Sequence, residues 1–233
     1  MDRRRWIYET ERNYHVMAQY IFFDLDGTLT DSGPGIIHSV LYALERMGRP
    51  EPDVEKVRRT FIGPPLTVSF HSLYGYTPQQ CQQAIAYFRE DYNHKGIYNN
   101  RPYDGIPELL HDLKAAGKTL AVATSKPYQL AERVLEHFDL RQYFDLVCGG
   151  SMDETRNEKA LIIQDAIQAL HLTDLSQAVM VGDRNLDVLG AHKNGLRCIG
   201  ILYGGYGTRE ELESAKADWL AADPAEVGRI LLG

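Results

Sequence analysis

Short apolar runs alternate with amphipathic stretches along most of this chain, and that alternation predicts an α/β fold built on a parallel sheet. The strand-like runs are residues 20–23, 119–123, 144–148, 178–181 and 197–202. Their near-continuous apolar character reads as strands buried on both faces. Helical spacing covers 108–116, 130–138, 159–170, 209–216 and 225–232. Four of the five strand-like runs end in polar or glycine-rich residues: Asp24, Thr124-Ser125-Lys126, Gly149-Gly150-Ser151 and Gly182-Asp183. Ligands of open α/β sheets bind outside the carboxyl ends of the strands, so those endings hold the candidate chemistry.

Residues 34–103 break the alternation. Ile36, Ile37, Val40, Leu41 and Leu44 recur at helical spacing, followed by an amphipathic stretch at 54–61 and the break Gly63-Pro64-Pro65. Further helical stretches at 66–73 and 78–92 follow, with no convincing strand. The pattern predicts a helical insert of small-domain size. It leaves the core just after the first strand-like run and returns ahead of Asp104-Gly105-Ile106-Pro107, a position suited to a lid. The expected division is an N-terminal extension at 1–18, an α/β core at 19–33 and 104–233, and a helical cap at 34–103. Met1-Asp2-Arg3-Arg4-Arg5 resembles the basic start of a signal peptide, but Glu9, Glu11, Arg12 and Asn13 leave no apolar middle region. Met17 stands as an alternative start.

Composition narrows the function classes. The formal net charge of -7 argues against a nucleic-acid surface, which needs concentrated lysine and arginine. Three widely spaced cysteines without a CxxC pair suit a reducing compartment and argue against a disulfide framework or a zinc site. No segment has the apolar length to cross a bilayer. The expectation is a cytoplasmic protein acting on small molecules, with no nucleic-acid polymer or membrane as partner.

The most informative stretch is Asp24-Leu25-Asp26-Gly27-Thr28, directly after the first apolar run. Carboxylates at i and i+2 on extended backbone share a face, and Gly27 lets the chain turn away. Taken alone, the stretch could equally be an Asx turn closing a strand. Thr124-Ser125 could be a helix N-cap ahead of Pro127. Lys159 opens a helical stretch, where the dipole disfavours a cation. Gly182-Asp183-Arg184-Asn185-Leu186-Asp187 could be a strand end followed by capping acids. Together these clusters supply what phosphoryl transfer requires: a carboxylate nucleophile, an acid/base, hydroxyl donors, a cation, and acids for a metal.

These motifs, in this order, make the chain resemble the haloacid dehalogenase-like hydrolase superfamily, in its phosphoglycolate-phosphatase-like branch. The resemblance covers residues 19–232. It rests on Asp24-Leu25-Asp26-Gly27-Thr28, the strand-end Thr124, Lys159, and Gly182-Asp183 with Asp187, although Lys159 lacks the Lys-Pro context of the family. It implies a Rossmann-like sheet in the order 3-2-1-4-5 with an inserted helical cap. It also implies a Mg²⁺-dependent phosphatase of small phosphomonoesters, phosphoglycolate or a nucleoside monophosphate. In the family roles Asp24 is the nucleophile forming an aspartyl-phosphate, and Asp26 the acid/base. Mg²⁺ would be held by Asp24, the backbone carbonyl of Asp26 and Asp183, with Asp187 either a further ligand or orienting the others. Thr124 and Lys159 would bind the phosphoryl group, helped by Ser125 and the backbone amides around Gly27. Arg58, Arg59, Arg156 and Arg184 are candidates for gripping an anionic part of the substrate, with solvated surface positions as the plain alternative. The Tyr-rich insert reads as packing rather than a stacking platform. A phosphomutase, or a catalytically silent binding module on the same fold, are the competing readings. Oligomeric state and physiological substrate are not encoded in any recognisable pattern.

Overall fold

The computed structural model describes residues 16–153 and 155–233. Most of the expected N-terminal extension, 1–15, therefore lies outside the described residues. The last part of that extension belongs to the fold: Val16 and Ala18 are buried, and the Val16 amide donates to the Ile230 carbonyl. Two small apolar side chains flanking the exposed Met17 were too short a pattern to read as core.

Six parallel strands form one sheet in the order β3-β2-β1-β4-β5-β6. They are β1 (Tyr20–Phe23), β2 (Thr119–Pro127), β3 (Leu146–Gly150), β4 (Ala178–Gly182), β5 (Arg197–Ile201) and β6 (Trp219–Ala221). The expected order is present, with β6 added at the edge. Three residues are too few to show a strand pattern, and β6 pairs only because Trp219–Ala221 runs alongside Ile199–Ile201.

Alternating side chains divide the core between the two faces of the sheet. Ile21 and Phe23, Leu120 and Val122, and Val179 and Val181 face one side. They meet the apolar stripes of α5 (Ile106–Ala115), α6 (Tyr128–His137) and α10 (Pro224–Leu232). Phe22, Ala121, Ala123 and Met180 face the other, against α7 (Lys159–Ala169), α8 (Asn185–Lys193) and α9 (Arg209–Ser214). Being buried on both faces explains why these strands read as continuous apolar runs.

The helical region opposite the sheet's carboxyl edge comprises α1 (Gly33–Arg46), α2 (Val54–Phe61), α3 (Leu66–Tyr74) and α4 (Pro78–Tyr92). Its ends are locally encoded. Thr77 and Gln80 form a reciprocal capping box with Pro78 at the first turn of α4, and Gly75 ends α3 in the left-handed conformation, φ +67°. Phe61, Phe70, Tyr74 and Tyr76 cluster in its interior, with Phe61 and Phe70 edge-to-face at 4.8 Å. Tyr74 and Tyr76 are thus packing residues, in line with the reading of the Tyr-rich insert as packing. Among the described residues no helix is long and apolar enough to cross a membrane.

Candidate active site

Phe23 pairs in register with Val122 on one side and Val181 on the other. This register brings Asp24, Thr124 and Asp183, which follow those paired residues by one or two positions, to one place at the carboxyl edge. The Asp24 amide donates to the Val181 carbonyl, extending the ladder by one residue, and its carboxylate accepts from the Leu25 amide at 2.7 Å. Lys159, the first residue of α7, reaches back under the strand ends. Its ammonium lies 2.8 Å from both Asp24 Oδ1 and Asp187 Oδ1 and donates to the Ala123 carbonyl at 3.1 Å. The helix dipole opposes a cation there, but two buried carboxylates outweigh it.

Close packing holds the acids in place. Asp187 Oδ2 accepts the Arg184 amide at the start of α8, and a Cβ at Gly182 would lie 2.4 Å from that oxygen. Gly27, with φ +86°, turns the chain past Asp183; a Cβ there would sit 2.4 Å from Asp183 Oδ2. Thr28 Oγ1 donates to Asp183 Oδ1 at 3.3 Å, while Asp183 Oδ2 is buried with no hydrogen-bond partner among the described residues.

Asp24, Asp183 and Asp187 each offer a carboxylate oxygen within 4.8 Å of the others. Burial pushes the Asp24 carboxyl up to about 6, with Lys159 pulling it down and Asp187 and Asp26 pushing further up. Asp183 is held well above its ordinary range by burial and by Asp187 and Asp24. Three buried acids face one lysine, and one carboxylate oxygen has no partner. A hard divalent cation with oxygen ligands fits that donor set. The Asp26 carboxylate does not join this cluster.

Beyond Ala123, β2 continues through Thr124, Ser125 and Lys126 to Pro127, with a register shift between Thr124 and Pro127 opposite β3. The N-cap alternative for Thr124-Ser125 is thereby overturned: α6 begins at Tyr128 without a side-chain cap. Thr124 is buried, its hydroxyl accepting from the Lys126 amide, and Ser125 Oγ donates to the Asn157 carbonyl. The Lys126 side chain, 4% exposed, places its ammonium 3.0 Å from both oxygens of Asp26. From sequence alone, Lys126 is one residue of a polar strand end with no assigned role. Its one visible signal was a third polar residue where two suffice to end a strand.

A cleft opens over these residues. Asp24, Asp26, Thr124, Ser125, Lys126 and Asn157 line the side formed by the core. Ile36, Phe61, Pro64, Pro65, Leu66 and Phe88, with Arg89 and Tyr92, line the side formed by the helices. None of the four arginines singled out from sequence lines it. The turns of α2 bury Val57 and Phe61; Arg59 is exposed beside Glu55, and the half-buried Arg58 pairs with Glu55 and lies over the Tyr206 ring of the core. Arg156 pairs with Asp165 of α7. Arg184 binds Glu211 and donates to the Ile62 carbonyl, tying the α8 N-terminus to the helical insert. The arginine in the cleft is Arg89, which also donates to the Met152 carbonyl. No local pattern distinguished it from the other helix-face arginines.

Comparison with known proteins agrees with this architecture. The family model described as haloacid dehalogenase-like hydrolase matches residues 21–201. A 5'-nucleotidase of Pseudomonas aeruginosa is 41% identical over 211 residues, covering 91% of this chain and 94% of that protein. The crystal structure of a predicted phosphatase from Clostridium acetobutylicum is also 41% identical. It superposes with a TM-score of 0.87 over 91% of this chain and 97% of its own. The tyrosine-protein kinase PtkA of Mycobacterium tuberculosis is 37% identical over 195 residues, covering 84% of this chain and 65% of that protein. Relatives this similar bear names for opposite directions of phosphoryl transfer, so the reaction has to be argued from the site. By family model, sequence identity and structural likeness together, the chain belongs to the haloacid dehalogenase-like hydrolase family.

Proposed function

We propose that this phosphoric monoester hydrolase is Mg²⁺-dependent and works through an aspartyl-phosphate at Asp24. The observation that supports this most is the cluster of Asp24, Asp183 and Asp187 around one lysine, with Asp24 facing the cleft. Mg²⁺ bound by these three acids would neutralise the charge that otherwise keeps carboxylates and a phosphate dianion apart.

The protein's own groups account for the remaining steps. Lys159 favours the ionised form of Asp24 that the attack requires. As an Asp24 oxygen bonds to phosphorus, the bond from phosphorus to the ester oxygen breaks, and Asp26 gives that oxygen its proton. Asp26, now a carboxylate, takes a proton from the water that attacks the phosphorus, and phosphate leaves Asp24. Thr124, Ser125 and the backbone around Gly27 are proposed to bind the phosphoryl oxygens.

Among small monoesters we assign a nucleoside monophosphate rather than phosphoglycolate. Ile36, Phe61, Leu66, Phe88 and two prolines form a wall suited to a flat apolar group, and phosphoglycolate offers only a second anion. Residues 34–103 act in this reading as a cap over the core formed by 19–33 and 104–233. The test is phosphate release from a panel of nucleoside monophosphates, phosphoglycolate and sugar phosphates, with Mg²⁺ and with excess chelator. Nucleotide turnover that requires the cation is expected. Turnover undiminished in chelator would overturn the metal assignment, and turnover only with an added sugar acceptor would favour a mutase.

A further inference from the structure

Resting on that hydrolase reading, we infer that Lys126 is a positioning residue for the Asp26 carboxyl and that Tyr92 of the helical cap holds Lys126 in place. The ammonium donates to both Asp26 oxygens at 3.0 Å and to the Tyr92 hydroxyl at 2.5 Å. Those three bonds use all three ammonium protons. Lys126 stands on β2 of the core, whereas Tyr92 is the last residue of α4. The acid/base candidate is thus tied to the cap through one buried cation.

The surroundings fix this arrangement. Tyr92 is 2% exposed, and its ring stacks on Phe88 at 4.9 Å and 18°. The ammonium also lies 4.9 Å from the centroid of the Tyr92 ring. Burial disfavours the ammonium, but Asp26 and the Tyr92 hydroxyl outweigh it and hold Lys126 above the ordinary lysine range. A buried cation with all its donors occupied has little freedom to move, and neither has the carboxyl it holds. Each carboxylate of the first motif thus has its own lysine, Lys159 for Asp24 and Lys126 for Asp26. Lys126 keeps its proton throughout. When the Asp26 proton passes to the departing ester oxygen, the carboxylate left behind is already paired. With the cap displaced, Lys126 would lose its third partner, and Asp26 the orientation that reaches the ester oxygen. Protonation of the leaving group would then depend on a seated cap.

The experiment compares wild type, Lys126→Met and Tyr92→Phe on p-nitrophenyl phosphate and on a nucleoside 5'-monophosphate, reading kcat/KM and pre-steady-state nitrophenolate release. The value of kcat/KM reports events only through departure of the leaving group. Nitrophenolate leaves without a proton donor, but an alkoxide does not. Lys126→Met should therefore lower kcat/KM on the nucleotide by about 10²-fold or more, the scale of general-acid catalysis, and on the aryl ester by less than about tenfold. A burst of one nitrophenolate per protein should appear in Lys126→Met, because Asp26 is also misplaced for the second step. Tyr92→Phe keeps the ring on Phe88 and should show the same asymmetry at about three- to tenfold, which preserves the test if Lys126→Met folds poorly. Equal losses on both esters with no burst would mean that Lys126 only supports the structure. A raised KM with unchanged kcat would mean that it grips substrate directly. Either result overturns the inference while leaving the hydrolase reading intact. Wild-type protein inert on both esters would sink the two together.

Discussion

The two walls of the cleft are built from different materials. The side formed by the core is dense with buried charge: Asp24 and Asp187 share Lys159, Asp26 pairs with Lys126, and Asp183 accepts from Thr28. The wall formed by the helical insert is mostly apolar, with Phe61, Leu66 and Phe88 beside two prolines. Groups that must hold sub-ångström geometry sit at the ends of paired strands, where register fixes them. Groups that sort leaving groups sit on helices that packing alone positions. The difference suggests a division of labour, chemistry below and selection above, and each of the following tests bears on it.

The largest effect should come from the proposed nucleophile. Asp24→Asn removes the attacking oxygen and should lower kcat by about 10⁴-fold or more on every monoester, losses of active-site nucleophiles being of that order or greater. Substrate-dependent loss would break the division. Lys159→Met should follow, at roughly 10²- to 10³-fold in kcat, the scale on which one electrostatic stabiliser acts. It also leaves Asp24 and Asp187 uncompensated, so thermal denaturation should show destabilisation of about 3–5 kcal/mol, relieved in part by Mg²⁺. Loss of stability without loss of activity would make Lys159 structural only.

Selection should respond to the other wall. Leu66→Ala removes apolar contact in the cleft and should lower kcat/KM for a nucleoside monophosphate by about tenfold, the usual value of a few lost methylenes. Phosphoglycolate hydrolysis should change less, so the ratio of the two rates is the measurement. An unchanged ratio would sink the nucleotide assignment.

The smallest effect is a pH dependence of stability in the cation-free protein. The folded-state value of Asp24, about 6, lies above its ordinary 3.8. The folded state therefore holds this proton more tightly than the unfolded chain, and the resulting stability is present at low pH and lost as pH rises from about 4 through 6. Mg²⁺ competes with that proton, so the Tm gain on adding Mg²⁺ should be larger at pH 7.5 than at pH 5. Equal gains at both values would mean that the cation binds elsewhere.

Much of the core wall was legible in the chain because its residues follow their own strands. Asp24, Thr124 and Asp183 end runs whose apolar character marks them as central strands. Equal register then brings to one edge residues up to 159 positions apart. Lys159 was visible as a cation in the wrong place on a helix, an electrostatic conflict that needed a reason. The other wall was not legible. Arg58, Arg59 and Arg89 all stand on amphipathic helices, and only the packing of α2 and α4 keeps the first two out of the cleft and turns the third into it.

By itself, then, the sequence determined the parallel α/β class, the helical insert, and the acids and lysine that gather at the strand ends. Those follow from periodicity and from strand-end position, which are local properties. Tertiary structure alone decided that β2 carries Lys126 past Thr124 to Asp26, that Tyr92 meets it from the insert, and that the cleft is lined by apolar side chains. It also decided that Val16 and Ala18 belong to the core and that a sixth strand closes the edge. Each of these is a contact between segments distant in the chain. Its free energy comes from the fit of the two surfaces and from burial of charge against charge, and neither partner's sequence carries that information alone.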